Sequence, residues 1–274
     1  AWTSHRGRID KARVALAHSP HYARRGGVDH VFASNAGLEV KADGAHYLVK
    51  RLHYSLAHLL QPAIVGRDHA YSLANRNSGV GRCTFELPYA SNYHSLSYRP
   101  PPAARRRWML HFRGSVAVCC QPGKSIRKAV AELANASSAL QDRTRLVVVA
   151  RDSTNLARSE EELYRLQGEE MAASDFCLVV AGDNLISSRL YSAIAAACIP
   201  VVVGGSAGAF ASHVPYDELV LRVDRVAFIQ NPHGLLRRLA EVDEAELVAR
   251  RIALETYLPD VVFEAPGSRA GSNF

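Results

Sequence analysis

No apolar run in this chain is long enough to cross a bilayer. The longest, Ala193 to Val203, falls short of the roughly 20 residues a spanning helix needs and is interrupted by Pro200. No Cys-x-x-Cys pair and no Cys/His cluster at zinc spacing occurs, which excludes the common structural zinc modules. The five cysteines are Cys83, Cys119, Cys120, Cys177 and Cys198, an odd count that leaves one disulfide open. Cys177 and Cys198 lie in apolar runs, where a small buried hydrophobe is the ordinary role. No Asp-x-Asp pair follows a strand-like run, so no divalent ion is expected against a bound diphosphate and no cofactor is expected. Internal repeats are absent, and the prolines at 100–102 are the nearest thing to low complexity. The first residue is Ala1 and no signal peptide precedes it, so the chain reads as a fragment or processed form with any membrane anchor outside it.

What is present is globular. The chain has 274 residues, 48% of them hydrophobic, enough for one large domain or two small ones. Its net charge of +7 suits anionic partners such as nucleotide phosphates or acidic glycans. Arg105-Arg106-Arg107 has no interleaved aromatic platform, so nucleic acid is not an expected partner. Asn135-Ala136-Ser137 is a glycosylation sequon inside a predicted helix.

The character of the chain changes at Arg99-Pro100-Pro101-Pro102, where prolines can continue neither a helix nor a central strand. This predicts an N-terminal portion over 1–98, a stiff linker over 99–104 and a second domain over 105–274. Short apolar runs at 108–112, 146–150, 176–180 and 201–203 are of buried-strand type, and 219–223 suggests one more. Between them, Ile126, Val130, Leu133 and Leu140 recur at helical spacing. Ser159 with Glu162 makes a capping-box pattern that opens a helix to Ala173, Ser188 to Ala197 is helical, and further helices fill 232–256. Strands alternating with helices predict an α/β fold with a doubly wound parallel sheet.

The stretch from Ser174 to Pro200 reads as strand, glycine-containing loop, helix and tight turn. The loop from Ala181 to Ser188 falls beyond a strand's C-terminal end, where open parallel sheets bind ligands. Ser187 or Ser188 can cap the helix that follows. Arg189 sits in its first turn, where a cation opposes the macrodipole, so a negative charge is expected nearby. A bound diphosphate and the carboxylate of Asp183 are equal contenders.

Ser174 to Val203 resembles the signature of the exostosin family: Ser-x-Phe-Cys-Leu, a glycine loop, Ser-x-Arg-Leu-Tyr, then Ala-Ile and Cys-Ile-Pro-Val. Trp108 to Gly114 followed by Ile126-Arg127, Gly26-Gly27-Val28-Asp29-His30-Val31-Phe32, and Leu87-Pro88-Tyr89 are similar to further elements of that family in the same order. The resemblance implies a GT-B architecture of two Rossmann-like halves. The N-terminal, acceptor-side half is expected to be incomplete here. It further implies inverting transfer of a sugar from a nucleotide donor, usually a UDP-sugar, to a glycan or glycoprotein acceptor. Such enzymes work in the Golgi lumen in polysaccharide biosynthesis, and assembly as a hetero- or homo-oligomer is compatible with this. The alternative is a catalytically inactive family member that binds glycan or a partner transferase.

Carried onto this sequence, the donor site falls on Arg113, Gly114, Arg127, Ser187, Ser188, Arg189 and Ser192, and the catalytic base on Asp29 or His30. Two positions depart from the family pattern. Ser192 stands where an acidic residue is usual, and Thr84 stands near a usual Asp. An acid at 192 would hold Arg189 or a ribose hydroxyl, so serine there predicts weaker donor binding and reduced activity.

Overall fold

The computed structural model describes residues 14–25, 31–34, 64–68, 83–116, 123–135, 140–149, 159–182, 187–205 and 208–269. The chain forms two compact units, residues 1–87 and 88–274. The first contains α1 (Pro20–Arg25) and a parallel sheet of β1 (Val31–Ser34), β2 (Ile64–Asp68) and β3 (Cys83–Leu87), in that order. Asp29 and His30 lie outside the described residues.

The second unit runs α2 (His94–Ser97), β4 (Trp108–Ser115), α3 (Gly123–Ala134), β5 (Thr144–Val149), α4 (Glu160–Ala172), β6 (Ser174–Val180) and α5 (Arg189–Ala195). It continues with β7 (Ile199–Val203), α6 (Tyr216–Leu219), β8 (Leu221–Val223), α7 (Arg225–Gln230), α8 (Pro232–Ala240) and α9 (Glu244–Val261). All four expected strands are present, β8 adds the edge strand that 219–223 suggested, and every pairing is parallel.

The helices form for legible reasons. In α3, Ile126, Val130 and Leu133 are fully buried and share one stripe, each worth about 1.5–3 kcal/mol of burial. Ser159 Oγ accepts from the amide of Glu162 at 3.1 Å and so starts α4, as the capping pattern predicts. The helix expected to reach Leu140 ends at Ala134, and a short 3₁₀ turn over Gln141–Arg143 leads into β5. Asn135 of the sequon is exposed just past that helix end.

The strand order is β5-β4-β6-β7-β8. The chain steps one way from β4 to β5, then crosses back to β6 and continues the other way. β4 and β6 therefore flank the topological switch point of a doubly wound sheet. α3, α7 and α8 pack together on one face, and α4, α5 and α9 on the other. The pairing of β4 with β6 runs from Trp108↔Ser174 to His111↔Cys177. Beyond it both strands continue, β4 to Ser115 and β6 to Val180, and part at their C-terminal ends.

Two expectations need correction. The proline run, expected as a stiff linker over 99–104, is packed onto the second unit. Arg99 Nη1 donates to the carbonyls of Ile194 (2.6 Å) and Ala195 (3.0 Å), and Arg251 Nη1 donates to those of Pro102 (2.9 Å) and Ala104 (3.3 Å). The division falls after Leu87 instead. Cys177 and Cys198 are not two separate small hydrophobes but a disulfide, with Cα atoms 5.7 Å apart. The register Phe176↔Ile199 makes them diagonal neighbours on one sheet face.

Candidate functional site

The crevice between the parting ends of β4 and β6 is held by two arginines. Arg127, in the second turn of α3 and 5% exposed, donates from Nε to the carbonyl of Ala181 (3.0 Å) and from Nη1 to that of Ser115. One guanidinium thus ties the end of β4 to the residue after β6, in place of the ladder bonds lost where the strands separate. Arg189, opening α5, reaches across to β4. Its Nε and Nη2 donate to the carbonyl of Arg113 at 3.2 and 2.9 Å, and its guanidinium lies 5.3 Å over the ring of Phe112.

A cation at the start of α5 is therefore met by a carbonyl oxygen and an aromatic face. Among the described residues no carboxylate pairs with Arg189, and its Nη1 has no acceptor; Asp183 lies outside those residues. Burial, and then the nearby charge of Arg127, push the Arg189 pKa down to about 10, which leaves it charged at neutral pH.

Gly114 makes this placement possible. A Cβ there would stand 2.3 Å from Arg189 Nη2, so any side chain would evict the guanidinium. Gly123 does the same for the backbone, since its Cβ would lie 2.1 Å from the carbonyl oxygen of Gly182. The first turn of α3 can thereby abut the loop after β6. Neither the Gly123 contact nor the carbonyl role of Ala181 is visible in a linear pattern.

The other candidate residues separate into groups. Ser187 Oγ accepts from the amide of Arg189 at 3.3 Å, whereas the Ser188 side chain makes no capping bond and is exposed. Ser188 thus holds the N-cap position, and Ser187 is the one of the two whose side chain satisfies a helix amide. Arg113 contributes its carbonyl to the crevice but turns its side chain to the opposite sheet face. There it forms a bidentate pair with Glu170, Nε to Oε2 at 2.8 Å and Nη2 to Oε1 at 2.7 Å.

Glu170 also accepts from Arg145 Nε at 2.8 Å, and His111 Nε2 lies 3.3 Å from its Oε2. Burial works to raise the Glu170 pKa, but the bonds from His111, Arg113 and Arg145 outweigh it and hold the carboxyl far below its usual range. Strand alternation explains the split, because residues 111 and 113 face α4 while 112 and 114 face the other layer.

Ser192 is 4% exposed and is engaged elsewhere. Its Oγ accepts from the amide of Asn92 at 2.9 Å and donates to the carbonyl of Ser188 at 3.2 Å. It fastens the segment before α2 to α5, while Arg189 is held from β4. The idea that residue 192 braces Arg189 finds no contact in this geometry.

The second unit is of the doubly wound parallel α/β class, the architecture in which ligands bind beyond the C-terminal strand ends at the switch point. Within that class, the chain belongs to the exostosin GT47 family of glycosyltransferases, since the family model described as Exostosin GT47 domain matches residues 3–239. No curated protein matches the chain. Among solved structures, it is similar to the one titled "Crystal structure of GtfA/B complex" at 11% identity and a TM-score of 0.31, covering 76% of this chain. The chain spans 55% of that structure's own length. Among the described residues no helix is long and apolar enough to cross a membrane.

Proposed function

We propose that this glycosyltransferase binds a UDP-sugar in the β4/β6 crevice, with the diphosphate on Arg189 and Arg127, and transfers the sugar with inversion to a glycan acceptor. The observation that carries this reading is the posture of Arg189. Two of its nitrogens are fixed to one carbonyl, Gly114 makes room for it, no described carboxylate neutralises it, and a second guanidinium raises the local positive charge. A preformed cationic slot of this kind favours negative charge developing on a leaving diphosphate. The amide end of α3 abuts Gly182 and adds partial positive charge at the same crevice.

In the reaction an acceptor hydroxyl attacks the anomeric carbon, the bond to the diphosphate breaks, and a base takes the hydroxyl proton. Asp29 and His30 are the residues proposed for that base. The two parallel-sheet units are read as the two halves of a GT-B enzyme, the second serving the donor and the first the acceptor. A Golgi-lumenal setting and a role in polysaccharide synthesis belong to the same reading, supported by the family alone.

Isothermal calorimetry with UDP tests the reading, with a panel of UDP-sugars assayed for hydrolysis and transfer. UDP should bind, and equally well in chelator, because the sequence supplies no Asp-x-Asp pair after a strand. Absence of UDP binding would refute the donor site. Binding that needs manganese would refute the all-arginine version of it, and binding without turnover of any donor would favour an inactive subunit.

A further inference from the structure

Only one of the nine asparagines in this chain opens an Asn-x-Ser/Thr sequence. It is Asn135, followed by Ala136 and Ser137, with no proline between. Asn135 stands directly after α3, where its amide still donates to the carbonyl of Ala131 at 3.1 Å, so helical geometry sets the side it faces. Leu133, two residues or about 200° back around the helix, is fully buried in the core. Lys128 and Glu132, seven and three residues back, mark the opposite stripe, with side chains 82% and 53% exposed. Asn135 continues that stripe and is itself exposed. A bulky group on its Nδ2 would project into solvent, away from the face of α3 that packs on the sheet.

A second observation comes from another part of the unit. Cys177 and Cys198, both buried, form a disulfide between the middle of β6 and the start of β7. Such bridges form and persist in oxidising compartments, which are also the compartments where asparagine in this sequence is glycosylated. The bridge and the acceptor sequence therefore point to one setting by separate chemistry. This step rests on the lumenal setting proposed above.

We infer that Asn135 is a site of N-linked glycosylation. The transfer replaces one N–H of Asn135 Nδ2 by a bond to the anomeric carbon of an oligosaccharide. That carbon gives up its bond to a lipid-linked diphosphate, which leaves with the electron pair, and the proton from Nδ2 passes to a base of the transferring enzyme. The position suits a permanent glycan, because α3 starts at Gly123 against Gly182 in the donor crevice and runs 12 residues away from it. Asn135 thus lies about 18 Å along the helix from the crevice, which stays open.

The test is intact mass and tryptic mapping of the full chain, made with a secretion signal in a eukaryotic host, before and after peptide N-glycosidase. That enzyme removes an N-glycan and leaves an aspartate in place of the asparagine that carried it. The unmodified chain should lose the mass of one oligosaccharide, with the conversion at position 135 alone. Ser137→Thr should keep the glycan, whereas Asn135→Gln and Ser137→Ala should each abolish it. A folded, unmodified chain that leaves the host without a glycan overturns the inference, as does a glycan that persists in both Asn135→Gln and Ser137→Ala. Thiol alkylation and mapping of the chain taken from the cells that make it separate this inference from the reading beneath it. Bridged cysteines with a bare Asn135 overturn the inference alone. Free thiols at Cys177 and Cys198 overturn the lumenal setting and the inference with it.

Discussion

Arg189 and Gly114 form one functional unit at the scale of single residues. On the proposed reading, removing Arg189 takes a charge-assisted contact from the donor diphosphate, so Arg189→Ala should weaken UDP binding by about 1.5–3 kcal/mol. The helix-dipole reading alone predicts little change in stability. The geometry predicts otherwise, because the carbonyl of Arg113 loses both of its guanidinium donors, at a cost of about 1–3 kcal/mol. Gly114→Ala should act through the same side chain. Its Cβ would stand 2.3 Å from Arg189 Nη2 and 3.3 Å from the Phe112 ring, so Arg189 is displaced, UDP affinity falls, and stability drops by a similar amount, about 1–3 kcal/mol. Calorimetry and urea unfolding on both single variants and the double variant give the check. Additive losses of UDP affinity would show that Gly114 does not act through Arg189.

The strands and most helices were legible because runs such as Phe176 to Val180 are apolar throughout, as strands buried on both faces must be. What stayed hidden depends on register and facing. The Cys177–Cys198 bridge needs the β6/β7 alignment. The side chain of Arg113 is claimed by Glu170, 57 residues away on the opposite face. Ser192 is claimed by Asn92, from a segment that had read as separate. In each case a local motif gave the residue's place along the chain but not which layer it faces.

The same elements carry two predictions. α5 is capped at Ala196 and followed by Ala197, whose φ of 54° puts a Cβ in the left-handed region just before β7. Ala197→Gly relieves about 1 kcal/mol of left-handed strain but gives up a fully buried methyl worth about as much, so the chemical-denaturation midpoint should barely move, and a large drop would show that the packing of the methyl outweighs the strain. The second concerns the contact of β4 with α4. Burial lowers the His111 pKa despite Glu170 beside it, so the native state resists a proton that the unfolded chain accepts below about pH 6.5. Stability is then full above that value and falls as the pH drops through it. The Glu170 pKa is depressed, so its contribution is present above the unfolded value of about 4.3 and lost as the pH falls further. Urea unfolding at several pH values should show two successive losses. His111→Gln should abolish the upper one, and an unchanged upper limb in that variant would assign it to another group.

For the whole molecule, the decisive issue is where the second unit begins. The proline run suggests residue 105, whereas the contacts put the boundary after Leu87. The segment between these points contributes to the core from several sides. The Asn92 amide donates to Ser192 and its Nδ2 donates to the carbonyl of Tyr164, Arg99 closes two carbonyls at the end of α5, and Pro102 and Ala104 receive Arg251. A fragment starting at 105 would leave Ser192 and Arg251 buried without these partners, each loss costing about 1–3 kcal/mol, which together rivals the whole stability of an ordinary domain. Residues 88–274 expressed alone should therefore fold cooperatively and bind UDP with nearly the affinity of the full chain, because Arg127, Arg189 and Gly114 all lie within it. Residues 105–274 should be insoluble or melt far lower. Sugar transfer should be lost in both fragments, since the residues proposed for the base, Asp29 and His30, belong to the first unit. Circular dichroism melts and calorimetry on the two fragments decide the matter. Equal stability of the two would restore the boundary to the prolines, and loss of UDP binding in 88–274 would show that the first unit helps to hold the donor.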